Sequence, residues 1–543
     1  MFIFKETNSK KQQFECNLTP SFQVEGTQPW TIHQRMNDLN IPNVSIAVIE
    51  DGKQSWSQEY SLDEQSNAHN IYQAASISKI FTAVLAMKTL VESGLVGLDE
   101  DVNKHLKSEW RVPNSFGKPV TLRGLLSHTG GINVRGLLGY PSNHSTYPNV
   151  LDVLKGNESL DTDLREPQDF PDRVPNHPPV KVVTEPGTEF AYSGGGMTIV
   201  QKLIEDVTGK PFAKLAQELI FNPLEMQNSS FEVKTSHYDG PFMIGHDDKG
   251  NPIEGEWRIH PELGAAGLWS TAEDLAKFAN MLLKTFKGEM DTFLKPESLR
   301  DMLVKQKNSS FGLGFSLYPF GNKTAFGHGG SNIGYKCQIT IFPETNAAFV
   351  IMTNADNGTE LIEACQNSLL DTYQWAEPNR TIKKTITLRE HDLTSCLGEY
   401  EYDFKGKKYP LKLTFEDKKI FVTVPFPSFD SQNSVKKIEL LAESDHAFFN
   451  SQYKMTLVFD HDYKTAQYFA FSVKKVENAL DSQCADSNIK MIKAMTKCSE
   501  KNKESVRTTQ DDNSNNPTET EQPELDKSVK NDEEEHVFNP NPF

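Results

Sequence analysis

A serine and a lysine stand three residues apart in "IYQAASISKIFTAVLAMKTLVESG" (Ile71–Gly94): Ser76 and Lys79. Residues three apart on a helix share a face, and the first turn of a helix carries unpaired N–H groups and positive potential. That combination suits nucleophilic catalysis. A serine hydroxyl does not lose its proton unaided near neutral pH. A lysine can take that proton only if burial lowers its pKa from about 10.4 towards 7, at a cost of about 4 kcal/mol. The run "IFTAVLAM" that follows is apolar enough to bury the lysine stem. The competing reading is a helix cap beside a solvated lysine, although a lysine in the first turn opposes the helix dipole. The same spacing recurs at Ser115, Ser434, Ser451, Ser472 and Ser487, so the surroundings must decide.

Two further stretches carry candidate chemistry. "EFAYSGGGMTIV" sets Tyr192 just ahead of Gly194–Gly196 and a helical run, where glycines allow a close backbone approach. "TAFGHGGSNIGYK" sets His328 before Gly329, Gly330 and Ser331 at the edge of a strand-like run, where a ligand can lie along the backbone. Read structurally, these are a half-buried aromatic beside a turn and a hairpin bearing an exposed histidine. No H-E-x-x-H or clustered ligand set points to a metal.

The elements that must position these residues are legible in the pattern. "NVSIAVIEDGKQSWSQEY" from Asn43 alternates around Asp51-Gly52 as a hairpin. A long helix is expected from Ser76, a short one in "LRGLLSHTGGI" (Leu122–Ile132), and helices in "MTIVQKLIEDVTG" and "PFAKLAQELIFNPL". In "STAEDLAKFANMLLK" Ser270 is the expected N-cap. The proline-dense Arg165–Gly187 reads as a surface loop or lid. "GYKCQITIFPETNAAFVIMTNAD" reads as two strands about a turn. From Thr385 to Val473 the chain is strand-like, with Leu411, Leu413 and Phe415 on one face and Ile420, Val422 and Val424 on another, as in a separate antiparallel β-domain. "NIKMIKAMTKCSE" suggests a short helix. From Glu500 to Phe543 there are twelve acidic against five basic residues and almost no apolar ones, so a disordered tail is expected.

At 543 residues the chain needs two or three cores. A net charge of −18 disfavours nucleic acid as a partner. No apolar run reaches the roughly 20 residues of a membrane helix, and "MFIFKETNSKK" is too short in apolar residues for a secretory signal. The expected compartment is the cytoplasm, with non-classical secretion through the acidic tail as the other route. Six scattered cysteines, Cys16, Cys337, Cys365, Cys396, Cys484 and Cys498, read as free thiols.

Five stretches arrive in a telling order: "YQAASISK", "TLRGLLSHTGG", "EPGTEFAYSGGG", "GAAGLWSTAEDLAKF" and "FGHGGSNIGYK". Together they resemble the serine β-lactamase-like superfamily of class C β-lactamases, D,D-peptidases and related esterases, over about residues 30–375. The resemblance implies an α/β (α+β) fold, β-lactamase/transpeptidase-like, with an antiparallel sheet flanked by helices and an all-helical lobe. A C-terminal unit similar to a lipocalin-like β-barrel and a disordered tail would follow. The implied division is an N-terminal segment (1–30), a hydrolase domain (31–380), a β-domain (385–476) and a terminal segment (477–543).

The resemblance also implies roles. Ser76 is the acylated nucleophile, Lys79 its proton acceptor, and Tyr192 the tyrosine of the family's Y-x-N motif. His328-Gly329-Gly330 matches the K-T-G strand, and the N–H groups of Ser331 and Ser76 form the oxyanion hole. "LLSHTGG" and "GLWSTAEDLAKF" look structural, and His128 is given no catalytic role. Two positions depart from the pattern. Gly194 stands where many relatives have Asn, so no side-chain amide holds a substrate carbonyl. His328 stands where a Lys would bind a substrate carboxylate, and histidine is largely neutral at pH 7. The expectation is a cofactor-free serine hydrolase acting on small esters, amides or peptides. A D,D-carboxypeptidase and a non-catalytic binding member of the same fold are the alternatives. The partner is a small-molecule or peptide substrate, and the oligomeric state stays open.

Overall fold

A computed structural model describes residues 2–62, 70–107, 109–156, 178–232, 240–320, 323–378, 380–404, 407–425, 435–451, 455–468 and 471–476. Most of the proline-dense segment, the "NIKMIKAMTKCSE" helix, the acidic tail, Cys484 and Cys498 lie outside the described residues. Contacts divide the chain into two compact units, one through Lys384 and one from Thr385.

The first unit is organised by a six-stranded antiparallel sheet. Its strands are β1 (Asn43–Glu50), β2 (Lys53–Ser61), β5 (Ser316–Phe320), β6 (Lys323–Asn332), β7 (Tyr335–Phe342) and β8 (Ala347–Thr353), in the order β2-β1-β8-β7-β6-β5. The hairpin expected around Asp51-Gly52 is β1–β2, and the two runs about a turn are β7–β8.

The period-two pleat sorts each strand's side chains to opposite faces. Ala47 and Ile49 of β1, with Ala348, Val350 and Met352 of β8, join one buried core; Val44, Ile46 and Val48, with Phe349 and Ile351, join the other. Covered on both faces, these strands read as near-continuous apolar runs.

The first core also holds the helices that matter for the site. They are α1 (Ser78–Ala86), α2 (Leu122–Leu126), α3 (Gly194–Thr208), α4 (Leu263–Ala266) and α5 (Ala272–Lys287). Every residue of α1 is buried, Lys79 included. A helix apolar all round must be enclosed, and that enclosure strips its one cation of water. Helix α5 is capped by Thr271, whose side chain accepts from the Asp274 N–H; Ser270, the expected cap, ends a short strand, β4 (Leu268–Ser270).

The second unit is a closed eight-stranded antiparallel barrel, β9 (Gly398–Phe404), β10 (Lys407–Glu416), β11 (Lys419–Pro425), β12 (Val435–Ala442), β13 (Ala447–Asn450), β14 (Met455–Phe459), β15 (Thr465–Tyr468) and β16 (Phe471–Lys475). Pairing of β9 with β16 closes the ring and removes both sheet edges. Leu411, Leu413, Ile420, Val422 and Val424 point into its filled core. Among the described residues no helix is long and apolar enough to cross a membrane.

Candidate active site

Ser76 sits on a sharp strand–turn–helix junction. Strand β3 (Tyr72–Ala75) pairs with β4, and the register shifts between Gln73 and Ala75. Ala75 then takes a φ of +47°, in the left-handed region. A residue with a Cβ held there costs on the order of 1–3 kcal/mol, so its surroundings must enforce it. They do: the Ser78 hydroxyl donates to the Ala75 carbonyl at 2.6 Å and accepts from the Leu268 N–H at 3.0 Å. The helix therefore starts at Ser78, not at Ser76 as the sequence suggests. Ser76 lies in the turn before it, its carbonyl accepting from the Lys79 N–H at 3.0 Å.

Lys79 Nζ lies 2.9 Å from Ser76 Oγ and donates to the Ala265 carbonyl at 2.7 Å. The residue is 3% exposed. Burial drives its pKa down to about 7, with the Glu262 carboxylate acting the other way. At neutral pH a large fraction of this amine is therefore uncharged, with a lone pair able to accept the Ser76 proton.

Tyr192 and His328 join the same cluster. The Lys79 nitrogen is 5.1 Å from the centre of the Tyr192 ring, and the Tyr192 and His328 rings are 6.0 Å apart. Burial pushes the Tyr192 phenol well above its ordinary value, and the Ser76 hydroxyl and Arg135 weigh the other way. His328 is fully buried, with Nδ1 2.5 Å from the Gly329 carbonyl. Burial and the nearby Lys79 push its pKa down to about 3, so the imidazole is neutral.

The three glycines after Tyr192 admit the segment at Val134 and Arg135. The Gly194 N–H donates to the Arg135 carbonyl at 2.8 Å and the Gly195 N–H to the Val134 carbonyl at 3.1 Å. A Cβ on Gly194 would lie 3.1 Å from the Arg135 oxygen. The loop backbone crowds the direction in which a relative's Asn would extend.

Gly330 on β6 packs against the strand leading to Ser76. An added Cβ would lie 2.5 Å from the Ala74 carbonyl oxygen and closer still to the Cys337 sulfur. Ser331 is the next residue on the same strand. Asn332 ties the parts together, donating to Gln73 Oε1 at 2.7 Å and to the Ala266 carbonyl at 3.2 Å. The variant Gly330→Ala is expected to push β6 from β3 and slow acylation of Ser76 about 100-fold, since a 1 Å misplacement carries that scale of loss. The rate of fluorophosphonate labelling measures it, and a wild-type rate would remove β6 from the site.

The structure thus brings together Ser76, Lys79, Tyr192 and His328, with Gly329, Gly330 and Ser331 on one adjoining strand and Gly194 at the start of α3. Two contributors escaped the sequence reading, and the contacts of a third, His128, were not foreseen. The Ala265 carbonyl is a backbone group without a side-chain signature, two residues ahead of the stretch read as structural. Glu262 looks like any other acid in "HPELGAAG". His128, 2% exposed and at φ +59°, packs its ring 4.4 Å from that of Tyr192, while its Nδ1 accepts from the Ser193 N–H at 3.2 Å. Among the described residues no group of His, Cys, Asp and Glu is placed to hold a metal ion.

The family model described as Beta-lactamase matches residues 31–370. The chain belongs to the beta-lactamase family. Members of this beta-lactamase family are serine hydrolases. The chain is similar to penicillin-binding protein 4 of Amycolatopsis lactamdurans, 22% identical over 395 residues that cover 67% of this chain and 93% of the relative. It is also similar to a D-aminopeptidase of Brucella anthropi, 26% identical over 173 residues, covering 32% of this chain and 33% of that protein. Among solved structures, the octameric penicillin-binding protein homologue from Pyrococcus abyssi aligns with a TM-score of 0.53 at 23% identity, covering 82% of this chain and 98% of the other. That likeness speaks to the fold.

Proposed function

We propose that this protein is a serine hydrolase that forms an acyl-enzyme at Ser76 and acts on small neutral esters and amides. The observation that carries the reading is the Lys79 amine, buried, brought to a pKa of about 7 and held 2.9 Å from the Ser76 hydroxyl. In this reading Ser76 Oγ attacks the substrate carbonyl while its proton passes to Lys79 Nζ. The N–H groups of Ser76 and Ser331 receive the oxyanion, and each such donor is worth about 2.7–4 kcal/mol of barrier. Tyr192, whose ring centre is 5.1 Å from Lys79 Nζ, hands its phenol proton to the departing alcohol or amine and takes back from Lys79 the proton that came from Ser76, leaving the amine neutral again. Water, losing a proton to Lys79, then attacks the acyl carbonyl; the bond to Ser76 Oγ breaks, Oγ takes the proton back from Lys79, and the carboxylic acid leaves.

Two positions support a neutral substrate. A buried, uncharged His328 offers no fixed cation to a carboxylate, and Gly194 offers no side-chain amide. The similarity to a D-aminopeptidase supports amides of D-amino acids as the amide substrates to try first.

A matched panel tests the class: p-nitrophenyl butyrate, the same ester bearing a terminal carboxylate, D-alanine p-nitroanilide and a penicillin, each followed by turnover and by intact mass. The neutral ester is expected to exceed its carboxylate twin in kcat/KM by tenfold or more, because a carboxylate left without its partner forgoes about 1.5–3 kcal/mol. Preference for the carboxylate, or rapid penicillin turnover, contradicts the neutral-substrate reading. No acylation by any member, with the protein folded, contradicts the enzyme reading and favours a binding role for the fold.

A further inference from the structure

Behind the amine lies a second buried ionisable pair that the reaction scheme does not use. Glu262 immediately precedes α4, and its carbonyl accepts from the Ala265 and Ala266 N–H groups at 3.0 and 3.1 Å. The same turn presents the Ala265 carbonyl to Lys79. The Glu262 side chain is 2% exposed and the His260 side chain 1%. His260 Nδ1 lies 3.2 Å from Glu262 Oε1, while Glu262 Oε2 is buried without a hydrogen-bond partner among the described residues. Leaving a carboxylate oxygen dry and unpaired is costly. Retaining it beside the turn that holds the catalytic amine calls for a reason.

We infer that Glu262 is a positioning residue of the general base: its buried carboxylate, oriented by His260, holds the Lys79 amine at the basicity the reaction needs. This rests on the acyl-enzyme reading. The physical case is a balance. Enclosure of α1 alone makes the amine an ever weaker base, and a base far below the working pH is a poor proton acceptor. A nearby anion restores part of that basicity. Among the described residues, the groups that interact with Lys79 are Ser76 on its own turn, Tyr192 before α3, His128 after α2, His328 on β6 and Glu262 before α4. Burial holds both histidines below their ordinary range, and the charge of Lys79 depresses them further. Among these groups Glu262 supplies the negative charge, and it opposes the effect of burial on Lys79.

The test is the pH dependence of Ser76 labelling by a fluorophosphonate, in the full chain, for wild type, Glu262→Gln, Glu262→Met and Glu262→Asp. Removing the charge is expected to move the acid limb down by about one pH unit and to lower the plateau rate, because the amine is then easier to deprotonate but less basic. Glu262→Asp, which keeps the charge, is expected to restore the wild-type limb. Should Glu262→Gln not fold, Glu262→Met carries the same expectation with no amide to seat. A merely structural carboxylate would change the rate or the melting temperature and leave the limb in place, and that outcome overturns the inference alone. Wild-type protein that takes up no probe at Ser76 overturns both the inference and the reading beneath it.

Discussion

Replacing Ser76 with Ala is expected to abolish acylation and to cut kcat/KM for any substrate by at least about 10⁴-fold, since removing a serine nucleophile in comparable hydrolases removes most of their rate enhancement. That loss corresponds to about 5.5 kcal/mol of transition-state stabilisation. The fold should be nearly indifferent. Ser76 is only half-buried, and Lys79 keeps its bond to the Ala265 carbonyl. The melting temperature should therefore stay within a few degrees of wild type. Turnover with an ester and intact mass after a fluorophosphonate check both halves. Variant protein that still gains the probe's mass would place the nucleophile elsewhere.

The second large effect comes from Lys79→Met, and it has two opposed parts. Activity should fall about 10³-fold or more, because among the described residues no other side chain packed around Ser76 is a base at neutral pH. His328 stays neutral: burial, the larger cause of its depressed pKa, remains when Lys79 is replaced and leaves the imidazole a poor acceptor of a serine proton. Stability should move the other way.

Lys79 has a folded-state pKa of about 7 against an unfolded value of 10.5. Between those limits the unfolded chain binds more protons than the folded one, so wild-type stability rises with pH across pH 7 to 10.5. Below pH 7, the buried amine costs about 5 kcal/mol. The variant escapes that cost and loses two hydrogen bonds worth about 1 kcal/mol each. Its melting temperature should exceed that of wild type at pH 6.5, with the gap closing by pH 10. Equal gaps at both pH values would mean that Lys79 is not destabilised by burial. Gain of stability with loss of function is the expected exchange at a site built on a strained group.

The parts of this site that were legible in the sequence are those where side-chain chemistry and spacing coincide. Ser76, Lys79, Tyr192 and the His328 strand each combine a reactive group with glycines or an apolar run that hints at its surroundings. The sheet was legible for a different reason: β1 and β8 are short, nearly continuous apolar runs bounded by turn signals, as strands covered on both faces must be. The barrel unit announced itself through Leu411, Leu413, Ile420, Val422 and Val424. What escaped was set by tertiary contact. Ala265 is 186 positions from Lys79 in the chain and contributes only a carbonyl. The left-handed turn at Ala75 carries no glycine to mark it, because Ser78 and Leu268 hold it in place. That turn also moved the helix start by two residues. His128 lies in a stretch that reads as a helix end, and nothing local says its ring will meet Tyr192.

The most direct measurement is the rate of fluorophosphonate labelling at Ser76 in the wild-type protein, followed by intact mass from pH 5 to 10. The account predicts a rate that rises with pH through a single limb centred near 7 and then levels off, reporting deprotonation of Lys79. A rate that keeps climbing towards pH 10, as for an ordinary solvated lysine, or label found on a residue other than Ser76, would contradict it.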